Sequence, residues 1–128
     1  MIFDSDVLIW FLRREPSAME LIDSTPERSV SVVTLMEALQ GAKSGADMRM
    51  LHSLFRETGF RILPLTEVIG NKATGLIEEH ALSNGLRVID AIIAATAIDA
   101  GEVLATSNVR HFRTIRSLEV RAFHPRRK

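Results

Sequence analysis

The sequence contains no cysteine and no tyrosine, and aromatic residues make up only 5% of its 128 positions. Without cysteine the chain has no disulfide framework, no thiolate nucleophile and no cysteine zinc site, which suits a reducing compartment. The few aromatic side chains are too scattered to form a platform on which nucleic-acid bases stack. We therefore expect Trp10 and Phe11 to pack in the core.

Long apolar runs are also missing, since no stretch approaches the roughly 20 residues that a membrane-spanning helix needs. The chain begins Met-Ile-Phe-Asp, and this early carboxylate does not fit the basic start and apolar run of a signal peptide. Hydrophobic residues still make up 46% of the chain, enough for the core of one domain. We predict a single cytoplasmic domain over residues 1–128, with no membrane association and a short basic tail from about residue 124.

Net charge is absent as well, because 16 basic and 16 acidic side chains balance. The balance conceals a division along the chain. Residues 110–128 carry seven basic side chains and one acidic, a net +6, and residues 1–109 carry nine basic and fifteen acidic, a net −6. The basic segment is either a solvated tail or a surface for phosphate, which the planar guanidinium of arginine binds well.

Glycine residues divide the second half of the chain. Gly59, Gly85 and Gly101 each follow a helix-like stretch and precede a short apolar run, at residues 60–65, 86–89 and 102–105. Glycine is common just past a helix end because it accepts left-handed backbone. This alternation predicts an α/β domain with a mainly parallel sheet, to which residues 2–3 and 30–33 would add strands.

Hydrophobic spacing predicts the longer helices. Residues 46–58 and 66–83 each place apolar side chains at three- and four-residue intervals, which indicates amphipathic helices. Residues 91–98 are apolar almost all round, so this helix is expected to be central and packed on the sheet.

Three acidic residues stand where these elements meet. Asp4 follows the first strand, Glu37 lies one turn into the helix after residues 30–33, and Asp90 precedes the apolar helix. In a parallel sheet, strand ends and the helix starts that follow them share one edge, where such folds place their sites. Three carboxylates at that edge would form an oxygen-rich pocket suited to Mg²⁺ or Mn²⁺.

Each carboxylate also has a structural explanation. Asp4, Asp6 and Asp90 all suit the N-cap of the helix that follows. Residues 34–37 match a capping box, in which Glu37 would bond back to the cap. Against capping, Glu37 stands between apolar neighbours on its helix, where an unpaired buried carboxylate would be costly. Other catalytic signatures are missing, since the four histidines lack metal-ligand spacing and no serine elbow or phosphate-binding glycine loop occurs.

Four short motifs occur in a recognisable order, and together they span nearly the whole chain. They are MIFDSDVLI from residue 1, VSVVTLMEALQG from residue 30, IDAIIAATA from residue 89 and LATSNVRHF from residue 104. In this order and spacing the chain resembles the PIN-domain ribonucleases, and more narrowly the VapC-type toxins of bacterial toxin–antitoxin pairs. The resemblance implies a three-layer α/β/α sandwich with a mainly parallel central sheet.

The resemblance also implies a metal-dependent endoribonuclease. Its acidic triad would be Asp4, Glu37 and Asp90, holding Mg²⁺ or Mn²⁺. Asn108 and His111 stand where some relatives have a fourth acidic residue, and Asn108 could still bind a metal or orient a water through its carbonyl oxygen. The side chains that would support the cluster are those of Ser5, Asp6 and Thr106.

Partners are implied in the same way. Arg110, Arg113 and Arg116 recur every three residues on a predicted helix after Asn108 and are candidates for contact with RNA, a solvated face being the alternative. A homodimer and a small cognate antitoxin are also implied. The antitoxin segment would lie in an apolar groove, for which the candidates are the helix at 46–58 and Val7, Leu8, Trp10 and Phe11, with core packing as the alternative for all of them. An RNA-processing nuclease without an antitoxin, and a PIN fold that binds RNA or protein without cutting, remain open.

Overall fold

A computed structural model gives the fold, and it describes residues 1–126. Strands and helices alternate along most of that range. They are β1 (Ile2–Phe3), α1 (Ser5–Leu12), α2 (Pro16–Asp23), β2 (Ser29–Ser31), α3 (Val32–Gln40), α4 (Gly45–Thr58), β3 (Arg61–Leu63), α5 (Glu67–Asn84), α6 (Val88–Ala100), β4 (Leu104–Thr106), α7 (Val109–Phe112) and β5 (Val120–Ala122).

The described strands form one sheet in the order β3-β2-β1-β4-β5, and every neighbouring pair is parallel. Successive side chains of a strand point to opposite faces. Ile2 and Leu104 accordingly pack with α5 and α6, whereas Phe3 and Ala105 pack with α1, α2 and α4. The sheet therefore lies between two helical layers, and the predicted α/β/α fold is confirmed.

The two cores differ in composition. On one face, α6 buries six side chains between Ala91 and Ala97, which confirms the central, apolar helix. On the other face, the ring of Phe60 contacts three aromatic rings at centroid distances of 5.3, 5.9 and 6.1 Å, those of Phe55, Phe11 and Phe3. Such pairs stabilise a core beyond the area that they bury.

The glycine predictions are confirmed at the helix ends but only in part at the strands. Gly59, Gly85 and Gly101 all have left-handed backbone, with φ of 79°, 69° and 66°, and they end α4, α5 and α6. β3 and β4 follow two of them. The strand predicted at residues 86–89 is wrong, because the chain re-enters a helix at Val88 without pairing in the sheet.

The boundary between β2 and α3 also differs from the prediction. The strand ends at Ser31 rather than at residue 33, because the Ser31 hydroxyl accepts a hydrogen bond from the Val33 amide and caps α3. A side-chain cap of this kind favours the start of a helix at once, despite the β-branched residues that follow.

Glu102 holds the amino-terminal edge of the sheet together. Its carboxylate lies 3.0 Å from the ammonium of Met1, before β1, and 2.5 Å from the guanidinium of Arg61, at the start of β3. Burial alone would raise the pKa of Glu102, but these cations and the hydroxyl of Ser29 lower it below its usual value. This edge is thus occupied by ion pairs, and the opposite edge is left for the site.

The chain end is partly described. Within the predicted basic tail, Arg126 donates its amide to the Ser17 hydroxyl and pairs with Glu20 at 2.9 Å. Residues 127 and 128 of that tail lie outside the described residues. Among residues 1–126, no helix combines the length and hydrophobicity that crossing a bilayer requires.

Candidate active site

A cleft of about 780 Å³ opens at the carboxyl edge of the sheet. Its lining includes all four residues predicted to be catalytic, Asp4, Glu37, Asp90 and Asn108, together with Ser5 and Asp6. We call it the carboxylate cleft, and its residues are Asp4, Ser5, Asp6, Ile9, Glu37, Ile77, Ala81, Leu86, Arg87, Val88, Ile89, Asp90 and Asn108. Elements distant in sequence therefore bring their polar side chains to one space.

Asp4 lies at the base of this cleft and is only 5% exposed. Its Oδ1 accepts a 2.8 Å hydrogen bond from the Ser5 amide, which makes Asp4 the N-cap of α1. Its Oδ2 accepts a 2.7 Å hydrogen bond from the Thr106 hydroxyl, at the end of β4. Capping and membership of the site, posed as alternatives from sequence, are therefore combined in one side chain.

The pKa of the Asp4 carboxyl is raised from its ordinary 3.8 to about 7, and burial is the largest cause. The charge of Asp6 also contributes to this rise, and that of Asp90 contributes less. The hydrogen bonds from Thr106 and Ser5 act in the opposite direction, because they favour the ionised form. A cation in the cleft would favour the same form.

Asp6 faces the loop after β4. Its Oδ2 accepts hydrogen bonds from the amide, at 3.0 Å, and from the hydroxyl of Ser107, while its Oδ1 accepts from the Val7 amide at 2.7 Å. The carboxylate thereby fixes the segment that carries Asn108. Nothing in the sequence marks Ser107 for this role, because the contact spans 101 positions.

The side chain of Glu37, in α3, is hydrogen-bonded to the first residue of α1. The Ser5 hydroxyl donates a 2.5 Å hydrogen bond to Oε1 of Glu37 and lies 3.3 Å from the hydroxyl of Thr34. The capping box at residues 34–37 is wrong, because α3 begins at Val32 and Thr34 is already inside it. The argument from burial is wrong as well, since Glu37 is exposed and its neighbour Met36 is 50% exposed. The helix buries Val33 and Thr34 instead.

Asp90 is the third residue of α6 and not its cap, because the helix begins at Val88, three residues before the start that a cap at Asp90 would require. Its Oδ2 lies 3.4 Å from Nδ1 of His111. That nitrogen is buried and makes no hydrogen bond with any residue from 1 to 126. His111 therefore faces Asp90, whereas Asn108 lines the cleft itself. The backbone amide of Asn108 donates a 3.0 Å hydrogen bond to the Thr106 hydroxyl.

Two further residues of the site were not found from sequence. Arg87 lines the carboxylate cleft and brings a cation to its rim, at the residue before α6. Asn84, the last residue of α5, donates its side-chain amide to the carbonyl oxygens of Arg110 and His111 at 3.4 and 3.1 Å. Both residues stand at a helix boundary that the sequence pattern had placed only approximately.

The three predicted RNA-contacting arginines are all exposed but do not share a helix. Only Arg110 lies in α7, which ends at Phe112. Arg113 and Arg116 follow in turns, because Phe112, Ile115 and Leu118 are buried and lead the chain into β5. The helix predicted through residue 116 is wrong.

The donor set of the cleft suits a hard cation, because carboxylate and amide oxygens are the ligands that Mg²⁺ and Mn²⁺ prefer. Within residues 1–126, no group of three acidic or histidine side chains is close enough to hold a metal ion by itself. Mg²⁺ commonly takes one or two carboxylates and keeps several waters, so a full protein shell is not required. A cation bound next to the buried Asp4 would lower the raised pKa of that carboxyl and favour its ionised form.

Comparison with known proteins gives consistent matches. A family model for the PIN domain matches residues 1–117. Ribonuclease VapC10 of Mycobacterium tuberculosis is 35% identical over 116 residues, which is 88% of this chain and 85% of that protein. Ribonuclease VapC19 of the same organism is 31% identical over 116 residues, 87% of this chain and 90% of its own.

Solved structures share the fold. A chain of a toxin–antitoxin complex from Klebsiella pneumoniae superposes with a TM-score of 0.77 and 27% identity, over 91% of this chain and 93% of that one. A chain of VapBC2 from Rickettsia felis, bound to a DNA fragment from its promoter, superposes with a TM-score of 0.76 over 97% of this chain and 100% of that one. The two sequences are 20% identical, a similarity that shows only a shared fold.

Proposed function

The chain belongs to the PIN domain family, and from this premise we propose that it is an endoribonuclease acting as the toxin of a toxin–antitoxin pair. The proposal is supported by two relatives named as ribonucleases, at 35% and 31% identity over most of both chains. The observation that carries it is the shared cleft of Asp4, Glu37, Asp90 and Asn108. RNA is the substrate that this family and these relatives suggest.

We further propose that Asp4 and Asp90 hold Mg²⁺ or Mn²⁺, with Glu37 and Asn108 at the margin of the site. A cation bound there would polarise the scissile phosphate and lower the pKa of a water for in-line attack. The carboxylates alone would repel a phosphodiester, so the cation has to be in place before the scissile phosphate can lie next to them, whereas a phosphate held outside the cleft does not need it.

The other side chains of the cleft orient this set. Thr106 holds Oδ2 of Asp4, and Ser107 holds Oδ2 of Asp6. Ser5 occupies Oε1 of Glu37, while Oε2 has no partner in residues 1–126 and is left for a water or a cation. These hydrogen bonds preorganise the oxygens before substrate arrives, so little reorganisation is needed during reaction.

An antitoxin is proposed as partner because the superposed structures include toxin–antitoxin complexes. A second cleft of about 550 Å³ could receive its segment, and it shares Ile9 and Glu37 with the carboxylate cleft. This apolar groove is lined by Ile9, Leu12, Arg13, Glu37, Ala38, Gly41, Ala42, Asp47, Met50 and Leu51. Met50 and Leu51 bring the expected helix, α4, to the wall of this groove.

The other residues expected in the apolar groove pack in the core or against it instead. Val7 and Leu8 are wrong as groove residues, because both are buried in the core. Trp10 and Phe11 are half-buried and pack against that core. A homodimer and a cytoplasmic location stay predictions, for which no described surface is assigned.

Cleavage of structured RNA by the purified chain tests the proposal. We expect cutting with Mg²⁺ or Mn²⁺, none with EDTA, and a loss of at least about a hundredfold in Asp4→Ala, as is typical when a group that positions charge is removed. RNA binding without cleavage under every metal would assign the chain a binding role instead. Cleavage that survives EDTA would contradict the metal assignment.

A further inference from the structure

We propose that a basic pocket next to the carboxylate cleft binds a phosphodiester of the RNA strand adjacent to the scissile one. The pocket has a volume of about 320 Å³. It is lined by Ser107, Asn108, Val109, Arg110, His111 and His124. The inference rests on the proposed nuclease function, and it names where the substrate strand lies and which residues bind it.

The basic pocket is continuous with the site. Asn108 lines both the pocket and the carboxylate cleft, so the two spaces meet at that side chain. His111 also lies between them, because its Nδ1 faces Asp90 while the residue lines the pocket. A strand whose scissile phosphate lies at the carboxylates has its next phosphate within reach of the pocket.

The composition of the pocket suits an anion. No acidic residue is in its lining, and its polar members supply donors from one guanidinium, two imidazoles, a hydroxyl and an amide. The guanidinium of Arg110 has no ion-pair or hydrogen-bond partner among residues 1–126 and is exposed. It can therefore bind a phosphate without first breaking an internal contact.

The wall of the pocket is also held in place. Asn84 donates to the carbonyl oxygens of Arg110 and His111, and it also reaches the hydroxyl of Thr114. On the other side, Asp6 accepts hydrogen bonds from the amide and hydroxyl of Ser107. A surface fixed at both ends loses little conformational entropy when a ligand binds.

The position of the pocket favours RNA over a protein partner. The apolar groove meets the carboxylate cleft at Ile9 and Glu37, whereas the basic pocket meets it at Asn108. A partner segment in the groove would therefore reach the carboxylates through different residues. The pocket also contains no aromatic stacking surface beyond its imidazoles, so contact with the backbone, independent of base sequence, is the expected mode.

Binding of a short, fluorescein-labelled, mixed-sequence single-stranded RNA tests the pocket, measured by anisotropy in EDTA so that no cleavage occurs. Arg110→Ala and His124→Ala are the test variants. Arg56→Ala and His52→Ala on α4 are the matched controls, since both are exposed and lie outside the pocket. Circular dichroism verifies that all four variants fold.

We expect Arg110→Ala to weaken binding about tenfold, as for the loss of one charge-assisted hydrogen bond, and to reduce the slope of log Kd against log salt by about 0.7. His124→Ala should weaken binding by a smaller factor, and the controls should match wild type. An RNA with uncharged methylphosphonate linkages should not distinguish Arg110→Ala from wild type.

The outcomes separate this inference from the proposed function. Unchanged affinity and salt slope in both test variants, with RNA still cleaved by the wild type, would overturn the pocket and leave the nuclease intact. An effect of Arg110→Ala on RNA binding in a chain that cleaves nothing would support the pocket and count against the nuclease. Failure of the wild type to bind RNA, or an equal loss with the uncharged RNA, would also overturn the pocket.

Discussion

The hydroxyl of Thr106 donates a 2.7 Å hydrogen bond to Oδ2 of Asp4, 102 residues earlier in the chain. The same hydroxyl accepts a 3.0 Å hydrogen bond from the backbone amide of Asn108. Because the hydroxyl has one proton, its acceptance from Asn108 leaves that proton for Asp4. The buried hydroxyl of Thr106, at the end of β4, therefore positions the Asp4 carboxylate after β1 relative to the backbone of Asn108 before α7.

Thr106→Val keeps the shape of the side chain and removes this hydroxyl. We expect the free energy of unfolding to fall by about 1–3 kcal/mol, because Oδ2 of Asp4 and the Asn108 amide would lose a buried partner. Urea denaturation measures the change. Thr96→Val is the matched control, since Thr96 is similarly buried, and within residues 1–126 its hydroxyl bonds only to the Ile92 carbonyl of its own helix. Equal stabilities of Thr106→Val and wild type would contradict this role.

The raised pKa of Asp4 predicts a pH dependence of stability in metal-free protein. The carboxyl titrates near 3.8 in the unfolded chain and near 7 in the folded one, so between those values the folded state binds more protons. The contribution of Asp4 to stability is thus fully present below pH 4 and is lost as the pH rises through about 7. The full loss corresponds to about 4 kcal/mol.

Asp4→Asn removes this titration. We expect the free energy of unfolding of wild type to decrease relative to that of Asp4→Asn between pH 4 and pH 8, measured by urea denaturation in EDTA. Asp99→Asn is the control, because Asp99 is exposed on the last turn of α6. Parallel stability curves for wild type and Asp4→Asn would show that Asp4 has an ordinary pKa.

Cation binding should stabilise the fold, because it neutralises repulsion among Asp4, Asp6 and Asp90. Mn²⁺ at a hundred times its dissociation constant should add about 2.7 kcal/mol and raise the melting temperature. At the Mn²⁺ concentration that gives this value for wild type at pH 8, the increase should be smaller at pH 5, where Asp4 is protonated and Mn²⁺ binds more weakly, and much smaller in Asp90→Asn. An equal rise in Asp90→Asn and wild type would place the cation elsewhere.

The apolar groove gives a separate prediction about the partner. Met50 is 65% exposed on the wall of the groove, and Met50→Asp would place a charge against an apolar segment of a partner. We expect affinity for the proposed cognate antitoxin to fall at least about tenfold by calorimetry, since burying an unpaired charge is costly. Leu82→Asp on α5, fully exposed and outside the groove, is the control. Equal affinities for the two variants would refute the groove.

The sequence predicted which side chains would meet at the carboxylate cleft better than it predicted their local surroundings. Strand and helix order along a parallel sheet sufficed to bring Asp4, Glu37 and Asp90 to one edge. Their local surroundings depended on packing, which hydrophobic pattern does not determine: Glu37 proved exposed, and Asp90 lies inside α6. Ser107 and Asn84 act across long sequence separations, so no local pattern could mark them.

The fold shows the same division. Helices with regular apolar spacing and glycine ends, such as α4, were predicted almost to the residue. The apolar residues 86–89 were not, because Val88 is 64% exposed and Ile89 37% exposed on the rim of the cleft rather than in the sheet. β5 was missed as well, since it is three residues long, lies at the sheet edge and has a half-buried, exposed, exposed pattern. An apolar run therefore predicts a buried strand only where its side chains do not line a surface cleft.

The central claim is that the carboxylate cleft hydrolyses RNA with a divalent cation, and mapping of the RNA ends tests it most directly. Structured RNA is incubated with Mn²⁺ and wild type, Asp90→Asn or the surface control Asp99→Asn, and the new ends are identified by their chemistry. Attack by a metal-activated water, with the 3′-oxygen leaving as the family resemblance implies, predicts 5′-phosphate and 3′-hydroxyl ends. It also predicts equal rates for wild type and Asp99→Asn, and a rate at least about a hundredfold lower for Asp90→Asn. Cyclic 2′,3′-phosphate ends, or undiminished cleavage by Asp90→Asn, would contradict it.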